Sequence, residues 1–256
     1  MSKTKLRIVQ DYVKFNEDKP NGIYLYINQD NIFEQYAMIV GPKNTPYFGG
    51  FYIFKITYPK NYPKKPPHVV MLTTNKKVRF NPNLYECGKV CLSIIGTWNG
   101  PSWEECMNIR LVLLSIQSLM TDFPIRNEPG FEETKIDCIK SIDYNNYINY
   151  YNYKVAIIDI INSINLYKTN NKKIGHIEYF IEPIIEEFKK NSKSLIDDLQ
   201  SYMITIGEKI IPTKTIYFIR EDHFIDFINL NQEFNDTFSI FNNTYLNDNQ
   251  LKESNI

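Results

Sequence analysis

The feature that most constrains this fold is a run of short apolar segments, closely punctuated by turn formers, between Ile23 and Leu72. Ile23–Ile27 and Ile32–Val40 are rich in β-branched and aromatic residues, and Asn28-Gln29-Asp30-Asn31 supplies a turn between them, so the pair reads as a hairpin. Gly41-Pro42 ends the second segment. Gly49-Gly50 introduces a third, Phe51–Thr57, which Pro59 stops. Pro63, Pro66 and Pro67 cannot donate ladder hydrogen bonds, so His68–Leu72 resumes only as a short edge strand.

Helical periods flank this block. In Lys5–Phe15, Leu6, Val9, Val13 and either Ile8 or Tyr12 fall on one face before Asn16–Gly22 breaks the pattern. Met107–Met120 places Leu111, Leu114, Ile116 and Leu119 at helical spacing, with Ile109, Val112 and Leu113 widening the stripe. A helix, consecutive strands and then helices argue for an α+β domain with an antiparallel sheet. A Tyr- and Asn-rich run follows from Cys138 to about Ser163. It lacks Arg and merges into an apolar helix-like segment, which favours packing over nucleic-acid stacking. From Glu182 onward Pro183 suits a first helical turn, and Ile184, Ile185, Phe188, Leu195, Ile196 and Leu199 form a stripe. Residues 201–256 mix a strand-like ITIGEKIIPTKTIYFI with an Asn-rich acidic tail, FNDTFSIFNNTYLNDNQLKESNI, whose last residues are expected to fray.

The 29 basic and 29 acidic residues cancel, so no net charge draws the chain to nucleic acid or an anionic membrane. No segment approaches the roughly 18 apolar residues of a membrane span, and the first residues lack the apolar core of a signal peptide. An intracellular protein is expected, cytoplasmic with the nucleus also open, its four cysteines kept as thiols. Cys87 and Cys91 are spaced C-x3-C, but no His or Cys pair follows at zinc-finger distance, so no metal site is expected.

The chemistry concentrates in Arg79–Trp98, RFNPNLYECGKVCLSIIGTW, where a turn at Asn81-Pro82-Asn83 leads through Gly88 to Cys91. An isolated Cys between Val90 and Leu92 most often behaves as a small buried hydrophobe. Its company argues otherwise. TPYFGGFYIFKITYPKNYPKKPPHVV (Thr45–Val70), DNIFEQYAMIVGP (Asp30–Pro42) and NIRLVLLSIQSLMTDFPIRNEPGFE (Asn108–Glu132), in this order around Cys91, resemble the ubiquitin-conjugating (UBC) catalytic domain. The similarity is greatest to its large hybrid conjugating enzyme/ligase branch, of the BRUCE/apollon type.

The resemblance implies the UBC fold of an N-terminal helix, a four-stranded meander and later helices. It also implies that ubiquitin arrives from an activating enzyme, is carried as a thioester on Cys91 and leaves to a lysine of a protein substrate. ATP is consumed by the activating enzyme, so no cofactor is expected here. Asn83, eight positions before Cys91, matches the Asn that supports the oxyanion or the active-site loop, and a simple turn-forming role is compatible with that. Glu128 stands about where an acidic residue orients the incoming lysine, with Asp122 as its rival.

Some residues depart from the family pattern. Asn81 replaces a His, as in the large branch. Lys64 stands where many members present a Phe to ligases, and Trp103-Glu104-Glu105-Cys106 lacks the usual second ligase-contact wording, which leaves a ligase partner open. Trp98 and Trp103 read as packing anchors in a loop, with partner binding as the second reading.

Residues 1–160 are read as the catalytic core domain and 161–256 as a mainly helical C-terminal extension. Two alternatives remain: a catalytically silent UBC variant that binds ubiquitin or a partner, and a cysteine hydrolase. The second is disfavoured because His68, His176 and His223 all lie far from Cys91 in sequence and outside any protease signature.

Overall fold

A computed structural model describes residues 2–245. Helix α1 (Lys3–Glu17) begins at Ser2, whose hydroxyl accepts from the Lys5 N–H at 3.3 Å and so caps an otherwise unpaired donor. Its inward face is Ile8, Asp11 and Phe15, whereas Leu6 and Val13 of the expected stripe are exposed. Asp11 accounts for the difference. The Tyr62 hydroxyl donates to its Oδ2 at 2.5 Å and Arg7 Nε to its Oδ1 at 2.8 Å, so a fully bonded carboxylate faces inward and rotates the apolar stripe with it.

The four strands β1 (Ile23–Ile27), β2 (Glu34–Val40), β3 (Phe51–Thr57) and β4 (His68–Met71) pair antiparallel in chain order, with Ile23 opposite Ile39, Ala37 opposite Phe54, and Thr57 opposite His68. This is the expected α+β, UBC-type arrangement. Strand β2 starts at Glu34 rather than Ile32 because the side chains of Asn28 and Asn31 accept from the N–H groups of Asp30 and Phe33 and extend the turn. At the other edge, Met71 N donates to Gly88 O at 2.8 Å, which ties the loop before Cys91 to β4. Gly88 has φ of +87°, and a Cβ there would lie 2.5 Å from the Met71 carbonyl oxygen, so only glycine allows this approach.

Helix α2 (Ile109–Gln117) is capped by Asn108 and buries Ile109, Val112, Leu113 and Ile116. Leu111 is exposed. Helix α3 (Ile139–Tyr151), a π-helical stretch Asn152–Ile158 and α4 (Asp159–Asn170) then form one unbroken helical run, inside which residue 160 falls. The tyrosines of this run pack inward, and Tyr144, Tyr147 and Tyr153 are buried. Asn152, at the start of the wider turn, donates from Nδ2 to Phe48 O at 2.9 Å and accepts from the Tyr52 hydroxyl at 2.6 Å.

Helix α5 (Ile181–Thr205) buries Ile184, Phe188, Leu195 and Leu199 as its spacing predicts. Its Glu187 accepts from the Tyr24 hydroxyl of β1 at 2.9 Å. Strands β5 (Glu208–Ile211) and β6 (His223–Asp226) form a separate antiparallel pair. One expectation is corrected here: Phe234–Tyr245, read as the start of the Asn-rich tail, belongs to helix α6 (Phe227–Tyr245). Phe227, Leu230, Phe234 and Phe241 recur at intervals of three and four and are buried, and Phe241 meets Phe188 of α5 with ring centres 4.8 Å apart. The final Asn-rich residues expected to fray, 246–256, lie outside the described residues. One apolar core runs from the four-stranded sheet through α2 and α3 to α5 and α6. Among the described residues, no helix is long and apolar enough to cross a membrane.

Candidate active site

Cys91 follows the Gly88 crossing and precedes a single 3-10 turn, Ser93–Ile95, that closes on Gly96. It is joined to the Asn81-Pro82-Asn83 turn twice: Cys91 N donates to Asn83 O at 2.9 Å, and Asn83 Nδ2 donates to Cys91 O at 2.9 Å. Asn83 thus holds the main chain that carries the thiol. The turn is held in its own right by Asn81, which is fully buried. Its Nδ2 donates to the Tyr47 hydroxyl and to Leu119 O, and its Oδ1 accepts from Asn83 N at 2.9 Å. An amide suits this position because it donates and accepts at once without carrying charge. Downstream, Thr97 Oγ1 donates to Val90 O at 2.7 Å and accepts from Leu92 N at 2.9 Å, clasping the two residues beside Cys91.

The thiol is 0% exposed, and burial pushes its pKa upward. Lys89, Arg79 and a hydrogen bond with Tyr85 oppose that shift, while Cys87 adds to it. The arrangement is a shielded thiol with two cationic side chains, Lys89 and Arg79, near enough to act on it. No histidine figures among these groups. His223 is buried, its Nδ1 2.7 Å from the Tyr151 hydroxyl, and His176 is half-buried, so both serve packing.

Arg79 organises these surroundings. Its Nη2 donates to Pro82 O at 2.5 Å and lies 3.3 Å from Glu128 Oε2, while the guanidinium stands over the Tyr85 ring, 4.0 Å from its centre, and over Phe218 at 5.0 Å. Glu128 is largely covered, and its Oε1 accepts from the Tyr217 hydroxyl at 2.8 Å. Asp122 is exposed and lines a separate groove with Lys43, Asn145, Asn152 and Asp198.

Tyr217, Phe218 and Arg220 belong to the β5–β6 connection. This segment of the extension therefore forms part of the site's surroundings, and Arg220 also pairs with Glu86. Sequence reasoning missed these three residues. Arg79 and Tyr85 lay in the singled-out stretch but carried no assigned role. Trp103 is an anchor, donating to Pro63 O at 2.6 Å, whereas Trp98 is substantially exposed. Lys64 is exposed.

A helix, a four-stranded meander, a cysteine fixed by an Asn-Pro-Asn turn and later helices define a class, and the sequence comparisons agree with it. The chain belongs to the ubiquitin-conjugating enzyme family, whose model matches residues 7–150. It is 45% identical over 157 residues to ubiquitin-conjugating enzyme E2 Z of Homo sapiens, covering 61% of this chain and 44% of that protein. The E2 Z of Xenopus tropicalis is 43% identical over the same length, 50% of that protein. The dual E2 ubiquitin-conjugating enzyme/E3 ubiquitin-protein ligase BIRC6 of Mus musculus is 32% identical over 206 residues, covering 77% of this chain and 4% of that one. The chain thus spans about half the length of the E2 Z proteins it matches.

Proposed function

We propose that this protein accepts activated ubiquitin as a thioester on Cys91 and transfers it to a lysine of a protein substrate inside the cell. The observation that carries this reading is the pair of bonds between Asn83 and Cys91, which fixes the loop of the only fully buried thiol.

In the first step Cys91 Sγ attacks the carbonyl carbon of ubiquitin's terminal thioester on the activating enzyme. A new S–C bond forms, the activating enzyme's thiolate leaves, and the Cys91 proton passes to it. In the second step a substrate lysine nitrogen attacks the same carbon, the Cys91 thiolate departs, and the nitrogen sheds a proton to give an amide. A free lysine has a pKa of about 10.4, so roughly one in 2,500 is neutral at pH 7, and the acceptor side must favour that form. Asn83 keeps the carbonyl chain of Cys91 in place through both steps. Glu128 attracts and orients the incoming ammonium group. ATP is required only by the activating enzyme, and residues 161–256 act as an extension that shapes the acceptor side.

The test is a charging assay with activating enzyme, ubiquitin and ATP, run with and without reductant. A thiol-sensitive adduct absent from Cys91→Ala supports the carrier role. The zero exposure of Cys91 favours a second reading, a UBC variant that binds ubiquitin or a partner without carrying it. No adduct with several activating enzymes, together with retained ubiquitin binding, would establish that reading instead.

A further inference from the structure

We propose that Tyr217, carried by the extension, is a positioning residue that orients Glu128 for the acceptor lysine. This rests on the reading that Cys91 carries ubiquitin. The Glu128 carboxylate is gripped at both oxygens, Oε1 by the Tyr217 hydroxyl at 2.8 Å and Oε2 by Arg79 at 3.3 Å. Arg79 is itself immobilised by the Pro82 carbonyl and by the rings of Tyr85 and Phe218, so the carboxylate has one rigid partner from the catalytic turn and one from the extension.

Tyr217 is suited to this role in two ways. Its ring is 60% exposed yet held, 5.5 Å from Phe131 and 5.6 Å from Phe218, and the adjacent Phe218 meets the buried Tyr144 edge-on at 5.0 Å. Its hydroxyl is protonated at neutral pH, as a tyrosine ordinarily is, and the hydrogen bond to Glu128 raises its pKa further. On either side Ile216 and Ile219 are buried, and Arg220 pairs with Glu86. The segment is therefore docked firmly enough for one hydroxyl to matter.

An ionised carboxylate offers about four lone-pair directions, so two donors leave capacity for an ammonium group while removing rotation about the side chain. Arg79 opposes part of the carboxylate's charge. The hydroxyl, being neutral, orients it without neutralising it. Acceptor recognition in this chain thus depends on a residue outside the segment matched by the family model.

The test uses the full chain, charged with ubiquitin and purified, then chased with free lysine or with the neutral nucleophile hydroxylamine. Tyr217→Phe keeps the ring contacts and removes only the hydroxyl. Loss of one solvent-exposed hydrogen bond predicts lysine discharge slower by about 5–10-fold, with a higher lysine concentration at half-maximal rate. Charging and hydroxylamine discharge should stay within about twofold, since neither calls on that bond. In a Glu128→Gln background Tyr217→Phe should add no further loss. Equal slowing with both nucleophiles, additive losses in the double variant, or wild-type lysine discharge in Tyr217→Phe would each overturn the proposal. A wild-type chain that never charges would overturn the carrier reading and this inference with it, a result distinct from the others.

Discussion

Arg220 of the β5–β6 connection is ion-paired with Glu86, a nearly buried carboxylate in the turn just ahead of Cys91. The contact joins the far end of the chain to the loop that carries the thiol. Arg220 is itself well exposed, so solvent screens the pair and its direct worth is modest. Arg220→Ala is expected to lower stability by about 1 kcal/mol, roughly 2–4 °C in melting temperature for a chain of this size. Hydrogen exchange should show the added opening confined to residues 212–222 and the turn at 84–88, and uniform loss of protection would contradict that placement.

Asn83→Ala removes the donor to the Cys91 carbonyl and leaves that buried group unpaired, which costs about 1–3 kcal/mol. Discharge of charged enzyme onto lysine is expected to fall by about 100-fold, the loss that goes with misplacing a reacting group by about 1 Å. Thermal unfolding and single-turnover discharge check the two effects separately. A melting temperature equal to wild type alongside slow discharge would move the amide from the loop to the reacting carbonyl.

Burial raises the Cys91 pKa more than Lys89 and Arg79 lower it. Only the thiolate reacts, so alkylation should speed up with pH and reach half its plateau above the usual thiol value of about 8.5. Lys89→Ala should move that midpoint further up. Iodoacetamide labelling of a variant with the other three cysteines replaced by serine, followed by mass spectrometry, gives the profile. A midpoint at or below the free-thiol value would contradict the sign.

His223 and His176 both have their pKa values lowered by burial. Between the lowered folded value and the unfolded value of about 6.5, the unfolded chain binds more protons, so stability rises with pH through that window and is fully present above it. Acidifying from pH 7.5 is therefore expected to lower the melting temperature once pH falls below about 6.5. His223→Gln should flatten part of that dependence while losing the bond to Tyr151, at a cost visible already at pH 7.5. An unchanged slope in the variant would place the pH dependence elsewhere.

Much of this architecture was open to sequence reading because its causes are local. Alternating apolar segments bounded by Gly, Pro and Asn specify strands and their turns. Asn81-Pro82-Asn83 and Gly88 ahead of Cys91 mark a turn and a close backbone crossing that need those residue types wherever they occur. Other features depended on partners remote in the chain. The inward face of α1 follows Asp11 rather than Leu6 and Val13, because Tyr62 and Arg7 supply the donors that make a buried carboxylate tolerable. The Asn-rich composition of 234–245 hid the greater part of a helix, since its few phenylalanines become a stabilising face only against Phe188 and its neighbours.

The sequence by itself determined the α+β meander and the Asn81-Pro82-Asn83 turn ahead of Cys91, because each rests on backbone chemistry within a few residues, whereas the choice of Cys91 as the reactive thiol came from the resemblance of the segments around it. Only the tertiary structure decided what surrounds Glu128. A hydroxyl and a guanidinium reach its two oxygens from opposite ends of the chain, and hydrogen bonds act over about 3 Å however great the sequence separation, which no local pattern records.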